Sequence, residues 1–408
     1  MKLCIISHKI VFQNKQGYWA PGGFCSYVMG FSPFFEEIIL LVPVRQSVDE
    51  CAGDWLVGDN IRLIALPDYY DKWWEVNAFL YLKPIAETIK SALAKVDIVN
   101  LRASCFLTII AYYITRKLNK PYFLSVFGDW KTLFRYAAKR GGWRRFFRYY
   151  GDVYESLILN RMIRKGPVFA HSKEMVQRFL VHNKWVFPCY SSTFTSHYII
   201  NHHKRINTDP LRILIVARTL SVNKGVVYLV KAIRKLVDQK YPVFLDVVGN
   251  DDADRTMKKT VKKEGVQKYV RFWGGLPHGP KFTERFDKAS VLIVPSLSEG
   301  APKVITEAMA RGVFVVASNT GGIPDIIKDD NYGMLFPPGD VNAICETVKK
   351  IFENKSDIEL KTKHGLKHAH DYTVEKNSKR MIDQLESSGL IVRNNNGILL
   401  NNNFSDSI

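Results

Sequence analysis

The chain has 408 residues, enough for two domains, and its 47% hydrophobic and 12% aromatic content excludes a disordered protein. Its six cysteines are scattered with no CxxC pair, which argues against a zinc site or disulfide framework and favours a reducing, cytoplasmic compartment. The formal net charge of +19 requires an anionic partner, such as nucleic acid, an acidic membrane or nucleotide phosphates.

The first half of the chain alternates short apolar runs with helix-length segments. The N-terminal run is too short for a signal peptide and is predicted as a strand. Phe106–Thr115 falls short of the roughly 18 apolar residues of a membrane span and is predicted as a buried helix. The predicted strands are Leu3–Ile6, Ile38–Val42, Ile61–Ala65, Ile98–Leu101, Tyr122–Val126 and Val168–Ala170. This alternation predicts parallel strands joined by helical crossovers.

A basic and aromatic segment lies between Asp129 and Tyr150. It holds seven Lys or Arg residues against one Asp, with eight aromatic residues interleaved. This mixture suits a bilayer interface with anionic headgroups, or alternatively a solvated helix pair whose aromatic side chains reach the core. Nucleic-acid binding is disfavoured because no recognition module is visible.

A polar segment rich in Ser, Thr, Asn and His, residues 188–210, is predicted to link two domains. A second series of strands follows it, predicted at Ile213–Val216, Phe244–Val248, Val270–Trp273, Val291–Val294 and Val313–Ala317. The predicted organisation is a first domain over 1–190, a linker over 191–210, a second domain over 211–385 and a tail over 386–408. The tail is Asn-rich from Arg393 onwards and is predicted to be loosely held.

Two cations follow the first strand of the second series. Arg218 and Lys224 precede a helix predicted over Val226–Val237, and cations at such a position suit a diphosphate, the alternative being ordinary surface charges. Gly249 ends the next strand and permits close approach of the backbone to a ligand. The acidic run 251–254 is predicted to be a solvated loop, so no metal site is predicted.

Two glutamates eight positions apart, Glu299 and Glu307, bracket the start of a predicted helix. Pro302 suits the first helical position and Gly312 a stop after the last turn. Two carboxylates at different depths can accept hydrogen bonds from two parts of one polyhydroxylated ligand. The neighbouring backbone would lie at a helix N-terminus, where phosphate or sugar hydroxyls bind, and consists of Gly300, Ala301, Pro302 and Lys303.

The second domain resembles the retaining glycosyltransferases of family 4, which have the GT-B fold. The residues that carry the resemblance are Arg218 and Lys224, Val248–Gly249, Phe272–Gly274, Pro295–Gly300 through Glu307–Ala310, and Gly321–Gly322. The resemblance extends from Leu211 to about Asp383, and its E-x7-E element is highly specific. It implies an α/β protein of two Rossmann-like, doubly wound domains that face each other across a cleft.

The resemblance also implies roles for individual residues. Arg218 and Lys224 would bind the donor diphosphate and stabilise charge on the leaving nucleotide. Glu299 would contact the donor sugar and Glu307 the ribose, while backbone groups from Gly300 to Lys303 complete the site. The implied route is attack by the acceptor hydroxyl on the same face of the sugar, without a metal or other cofactor.

The first domain matches the family less closely. Gly22 and Gly23 resemble its early Gly–Gly loop, which faces the donor phosphates and the acceptor, the alternative being an ordinary flexible loop. Phe127 stands where many members carry a His that touches the donor sugar, and Asp129 is predicted to supply a polar contact there instead. His171 is predicted to be structural.

These features together predict a cytoplasmic, peripherally membrane-associated retaining glycosyltransferase. It would move a sugar from a nucleotide diphosphate, UDP rather than GDP, to a glycan or lipid-linked acceptor in surface polysaccharide biosynthesis. Two alternatives stay open. One is a sugar-nucleotide epimerase or phosphorylase on the same fold, and the other is a non-catalytic nucleotide-sugar-binding subunit of a glycan-assembly complex.

Overall fold

The chain divides into two compact units, one formed by residues 1–191 with 377–408 and one formed by residues 192–376. A computed structural model describes residues 1–47, 53–67, 74–103, 106–126, 157–171, 173–190, 192–202, 204–251, 255–328, 330–394 and 397–401. The basic and aromatic segment, which begins at Asp129, lies outside the described residues, and so does Phe127. Within the described residues, no helix combines the length and the apolar character needed to cross a membrane.

The first unit is built on a mainly parallel sheet. Its strands are β1 (Lys2–Ile6), β2 (Val11–Asn14), β3 (Gly17–Ala20), β4 (Glu37–Gln46), β5 (Asp54–Trp55), β6 (Ile61–Leu66), β7 (Ile98–Ala103), β8 (Tyr122–Val126), β9 (Val168–Ala170) and β10 (Val186–Pro188). They pair in the order β10-β9-β8-β7-β1-β4-β2-β3-β5, with β6 on β4. All six strands predicted for this half are confirmed, and among the described strands of this sheet only the pairs β2–β3 and β3–β5 are antiparallel.

Successive side chains of the central strands point to opposite faces of the sheet and pack in two separate cores. The helices of this part are α1 (Phe24–Met29), α2 (Trp74–Leu93), α3 (Phe106–Lys117) and α4 (Lys173–Leu180), and residues 157–163 are also helical. Cys4 and Ile6 of β1 face α2, α3 and α4, whereas Leu3 and Ile5 face α1. The helix predicted over Phe106–Thr115 is therefore confirmed and packs on this sheet, because its apolar side chains are buried against β7 and β8.

The C-terminal residues complete the second face of the first sheet. Helix α12 (Val374–Ser387) is followed by an antiparallel hairpin of β17 (Ile391–Asn394) and β18 (Gly397–Leu400). The buried residues of this helix and hairpin join the core beside α1. They are Met381, Ile382, Leu385, Leu390, Ile391 and Ile398. The prediction of a loosely held tail from Arg393 is wrong for residues 393–394 and 397–400, because these residues pair in the hairpin and Ile398 is buried in the core. The two compact units divide at residue 377, and the predicted domain boundary at 385 stays a prediction.

The second unit is an entirely parallel sheet in its described strands. These are β11 (Leu211–Leu220), β12 (Val243–Asp251), β13 (Val270–Gly274), β14 (Val291–Val294), β15 (Phe314–Ser318) and β16 (Met334–Phe336), in the order β13-β12-β11-β14-β15-β16. The intervening helices are α5 (Val226–Asp238), α6 (Thr256–Lys263), α7 (Pro280–Lys288), α8 (Lys303–Ala310), α9 (Ile323–Ile327), α10 (Val341–Glu353) and α11 (Lys355–Ala369). The five strands predicted here are confirmed, and the sheet order reverses between β11 and β14, a position where such sheets bind ligands.

Candidate functional site

Three loops meet at the carboxyl edge of the second sheet. They follow β11, β14 and β15, which are parallel neighbours. Because parallel strands end at the same edge, loops that lie far apart in sequence come together there. The Ser318 hydroxyl donates a buried hydrogen bond of 2.6 Å to the Ser296 carbonyl, which joins the ends of β14 and β15.

Lys224 lies in the first of these loops. A 3-10 turn, Val222–Lys224, follows β11, and Gly225 then adopts a left-handed φ of 67° before α5 begins. A Cβ built on Gly225 would lie 1.7 Å from the Pro295 carbonyl oxygen, so only glycine fits. The Leu297 amide also donates to the Asn223 carbonyl at 2.9 Å, which fixes the first loop against the second.

Glu299 lies in the second loop and holds Lys224. Its Oε1 accepts a hydrogen bond from the Lys224 ammonium and another, at 3.0 Å, from the Ser296 hydroxyl. The lysine side chain is 35% exposed and the glutamate 15%, so the ion pair lies at the surface of the site with its anion more buried. The sequence placed both residues in the site but did not predict that they form a pair.

The third loop packs closely against the backbone of Glu299. Gly321 has a φ of 55°, and a Cβ built on it would lie 1.7 Å from the Glu299 carbonyl oxygen. The Gly322 amide donates to the Gly300 carbonyl at 2.7 Å. The turn at this glycine pair therefore holds the loop that carries Glu299.

Glu307 lies inside α8 and is buried, with 5% of its surface exposed. The helix begins at Lys303, with Pro302 as its N-cap at a ψ of 114°, one residue later than predicted. It ends at Ala310, and Gly312 has the left-handed φ of 60° expected after a helix stop. Glu307 accepts a hydrogen bond from the Thr193 hydroxyl, a contact that the sequence did not predict.

Position 249 requires a glycine for a reason different from the one predicted. Its φ is 138°, and a Cβ built on it would lie 1.8 Å from the Ala217 carbonyl oxygen. The space that glycine leaves is therefore taken by β11, whose pairing with β12 shifts register between Val216 and Thr219. Arg218 lies within this irregular part of β11, and its side chain is outside the described part of the chain.

The remaining predicted site residues are placed as follows. Gly22 and Gly23, with φ of 78° and 70°, precede α1 in the first unit. His171 Nδ1 lies 3.1 Å from the Cys189 carbonyl oxygen, a local structural contact. Across the described ranges, no three His, Cys, Asp or Glu side chains group as metal ligands would.

Thr193 and Ser296 are the contacts that sequence reasoning missed. Thr193 lies 114 positions from Glu307, in a polar segment that was predicted only as a linker. Ser296 is 1% exposed and lies three residues before Glu299. A serine at such a position could make several kinds of local hydrogen bond, so its presence alone does not identify Glu299 as its partner. No local pattern marks either residue, because each contact depends on how the loops are packed.

The fold and this site define a protein of the GT-B fold, which confirms the predicted fold class. Anabaena Alr3699/HepE, solved in complex with UDP and glucose, matches with a TM-score of 0.67 at 15% identity, over 95% of this chain and 100% of that one. Residues 198–381, which hold the three loops, match the family described as Glycosyl transferases group 1. This match supports the glycosyltransferase resemblance for that part of the chain.

Two relatives extend the comparison in sequence. Protein CapJ of Staphylococcus aureus is 27% identical over 301 residues, which is 72% of this chain and 72% of CapJ. The amylovoran biosynthesis glycosyltransferase AmsK of Erwinia amylovora is 31% identical over 156 residues, which is 37% of this chain and 38% of AmsK.

Proposed function

We propose that the protein is a retaining glycosyltransferase of family 4. It moves a sugar from a nucleoside diphosphate, UDP rather than GDP, to a glycan or lipid-linked acceptor in surface polysaccharide biosynthesis. The observation that carries the proposal is the Lys224–Glu299 pair beside the start of α8. The relative AmsK, named for amylovoran biosynthesis, supports the pathway, and the UDP complex of the similar structure supports the nucleotide.

The donor diphosphate takes the place of Glu299 as the partner of Lys224. The Glu299 carboxylate accepts a hydrogen bond from the Lys224 ammonium, and both side chains keep some exposure. A diphosphate attracts the ammonium more strongly than one carboxylate does, and Arg218 together with the backbone from Gly300 to Lys303 adds further positive charge. Glu299, released from Lys224, then accepts hydrogen bonds from hydroxyls of the donor sugar.

Glu307 binds the ribose in this proposal. Its burial and the Thr193 hydrogen bond hold its carboxylate in one position. A carboxylate accepts hydrogen bonds from two vicinal hydroxyls, and a fixed one loses little entropy when it binds them. Gly22 and Gly23 allow the backbone to approach the donor, and Asp129 contacts the acceptor or sugar.

Transfer proceeds on one face of the sugar. The bond from the anomeric carbon to the phosphate oxygen breaks, and a bond to the acceptor hydroxyl oxygen forms on the same face. The acceptor proton passes to the departing phosphate oxygen. Lys224, Arg218 and the start of α8 stabilise the negative charge that develops on the leaving diphosphate.

Donor screening tests this function. We expect one UDP-sugar to stabilise the purified chain by about 2.7 kcal/mol at 100 times its Kd, because the donor binds only the folded state. Added acceptor should then release UDP, and NMR of the product should show the anomeric configuration of the donor. An inverted product would contradict the retaining mechanism. Conversion of the donor without free UDP would identify an epimerase, and binding without turnover a non-catalytic subunit.

We further propose a cytoplasmic protein that binds anionic membrane surfaces peripherally, since seven cations and eight aromatic residues share residues 129–150. Replacing Arg140, Arg144, Arg145 and Arg148 by Ser should lower sedimentation with phosphatidylserine vesicles, by up to about a thousandfold in partition coefficient at about 1 kcal/mol per cation. The matched control replaces four lysines of α6, Lys258, Lys259, Lys262 and Lys263. Equal loss in both variants would show nonspecific attraction, and no loss in the arginine variant would contradict docking through this segment.

A further inference from the structure

A segment at the beginning of the second unit, residues 192–200, is hydrogen-bonded to the end of α8. The Ile200 amide donates to the Ala310 carbonyl at 3.0 Å. The Arg311 guanidinium donates to the Tyr198 carbonyl at 2.7 Å, and its central carbon lies 5.2 Å from the centre of the Tyr198 ring. These contacts fix the later part of the segment beside the helix that carries the buried glutamate of the site.

Hydrogen bonds also fix the earlier part of the 192–200 segment. The Val374 amide donates to the Phe194 carbonyl at 2.9 Å. The Ser192 hydroxyl lies 3.2 Å from the same carbonyl oxygen and 3.3 Å from the Phe194 amide nitrogen. Thr193 therefore lies in a stretch of backbone that is held on both sides, and its side chain starts from a defined position.

The Thr193 side chain reaches the carboxylate of Glu307. Its hydroxyl donates to Glu307 Oε1, since a carboxylate accepts hydrogen bonds and cannot donate them. A hydrogen bond to a carboxylate is charge-assisted and stronger than one between neutral groups. Within the described ranges, no hydrogen bond reaches the other oxygen, Oε2. One oxygen is thus held by the protein, and the other is left for a ligand.

Tyr198 brings a second polar group of the segment close to Glu307. Burial and the negative charge of Glu307 raise the pKa of Tyr198, so its phenol is neutral at pH 7. The Tyr198 ring packs on Phe194, the neighbour of Thr193, with the ring centres 5.5 Å apart. The 192–200 segment contains no acidic residue, so it supplies the carboxylate with a donor and adds no negative charge beside it.

A carboxylate held in this way suits the vicinal hydroxyls of a ribose. A free glutamate side chain loses rotamer freedom when it binds a ligand, and that loss weakens the affinity. Because burial and the Thr193 hydroxyl restrict Glu307 before a ligand arrives, less freedom remains to be lost. Each carboxylate oxygen has two lone pairs, so Oε2 and the second lone pair of Oε1 remain for two hydroxyls.

We propose that Thr193 is a positioning residue for Glu307 and determines how strongly the protein selects nucleotides by their ribose hydroxyls. The inference rests on the proposed function in one respect, which is the assignment of Glu307 to the ribose. The Thr193 hydroxyl holds one carboxylate oxygen, and the carboxylate accepts hydrogen bonds from the two ribose hydroxyls. The ligand class that this arrangement selects is a ribonucleoside diphosphate, against a nucleoside diphosphate that lacks those hydroxyls.

Calorimetric titrations of the full chain with UDP and with 2′,3′-dideoxy-UDP test this role. We expect the wild-type chain to bind UDP about 10- to 100-fold more tightly, the usual effect of a charged hydrogen bond. Thr193→Val removes the hydroxyl and keeps the branched shape of the side chain. It should weaken UDP binding about 2- to 10-fold, because the ligand must then order Glu307 itself, and leave binding of the dideoxy compound unchanged.

Two matched variants distinguish positioning from a general effect on the fold. Thr193→Ser keeps a hydroxyl and should retain the wild-type ratio of the two affinities. Thr362→Val removes a buried hydroxyl from α11 of the same unit, where it donates to the Ile358 carbonyl at 2.7 Å, and should also leave the ratio unchanged. A merely structural role of Thr193 would weaken the binding of both ligands equally, and that result would contradict the inference.

Two further variants keep the result decisive. Thr193→Ala supplies a second side chain without a hydroxyl if the valine variant fails to fold. Glu307→Ala should abolish the preference for UDP, which tests the ribose assignment by itself. If Glu307→Ala abolishes the preference and the folded Thr193 variants keep the wild-type ratio, the inference fails and the proposed function stands. Equal affinity of the wild-type chain for the two ligands would overturn the ribose assignment together with the inference.

Discussion

Replacing Lys224 by Ala should lower the rate of sugar transfer about 100- to 1000-fold, the usual cost of removing one group that stabilises charge in a transition state. The ammonium lies at the carboxyl edge of the second sheet, in a loop fixed by Gly225. Without it, the leaving diphosphate loses a charge-assisted hydrogen bond as its negative charge develops. Release of UDP, followed at saturating donor and acceptor, measures kcat directly.

Two variants separate this role from general effects of charge. Lys224→Arg keeps a cation in the loop and should recover part of the lost rate, because a guanidinium also binds phosphate. Lys231→Ala removes an exposed lysine two turns further along, on α5, and should leave kcat unchanged. A Lys224→Ala enzyme with full activity and an unchanged melting temperature would refute the assignment of the donor site.

Replacing Gly225 by Ala should destabilise the second unit by several kcal/mol and abolish donor binding. The new methyl group would lie 1.7 Å from the Pro295 carbonyl oxygen, a distance that requires backbone movement between the loops after β11 and β14. Those loops carry Lys224 and Glu299, so their separation would disrupt the ion pair as well. Denaturant unfolding and UDP titration measure the two effects independently.

Gly265 provides a closely matched control for backbone strain. It follows α6 with a φ of 69°, against 67° for Gly225, but a Cβ built on it would meet only the Arg234 guanidinium at 3.6 Å. Gly265→Ala should therefore cost only about 1–2 kcal/mol, the strain of a left-handed alanine. Equal destabilisation of the two variants would show that strain, and not contact with Pro295, explains the glycine at position 225.

Three glycines of the second unit allow close packing of neighbouring segments. Gly225, Gly249 and Gly321 each leave space for a carbonyl oxygen of a neighbouring segment. Gly249 and Gly321 are among the residues that carry the resemblance to family 4, and Gly249 was predicted to permit close approach of the backbone to a ligand. In the structure, these segments approach one another so closely that no volume is left for a Cβ atom.

Local pattern was sufficient to locate most of the elements. Runs such as Val291–Val294 and Tyr122–Val126 lie where the sequence predicted strands, because a buried parallel strand must be apolar on both faces. Glu299 and Glu307 were identified as site residues for a similar reason, since a strand, a loop and a helix start follow one another within about twenty positions. Such features depend on neighbours in sequence and are therefore visible in it.

Contacts between distant segments were decided only by the tertiary structure. The pairing of Lys224 with Glu299 joins residues 75 positions apart, and that of Thr193 with Glu307 joins residues 114 apart. Packing of Ile391 and Ile398 on the first sheet depends on a chain that returns to its first unit after the second is complete. The sequence by itself determined the strands, the helices and the residue types of the site, because these follow from local periodicity and turn chemistry. Which side chains meet was determined by the order of strands in each sheet, since that order alone brings separate loops to a common edge.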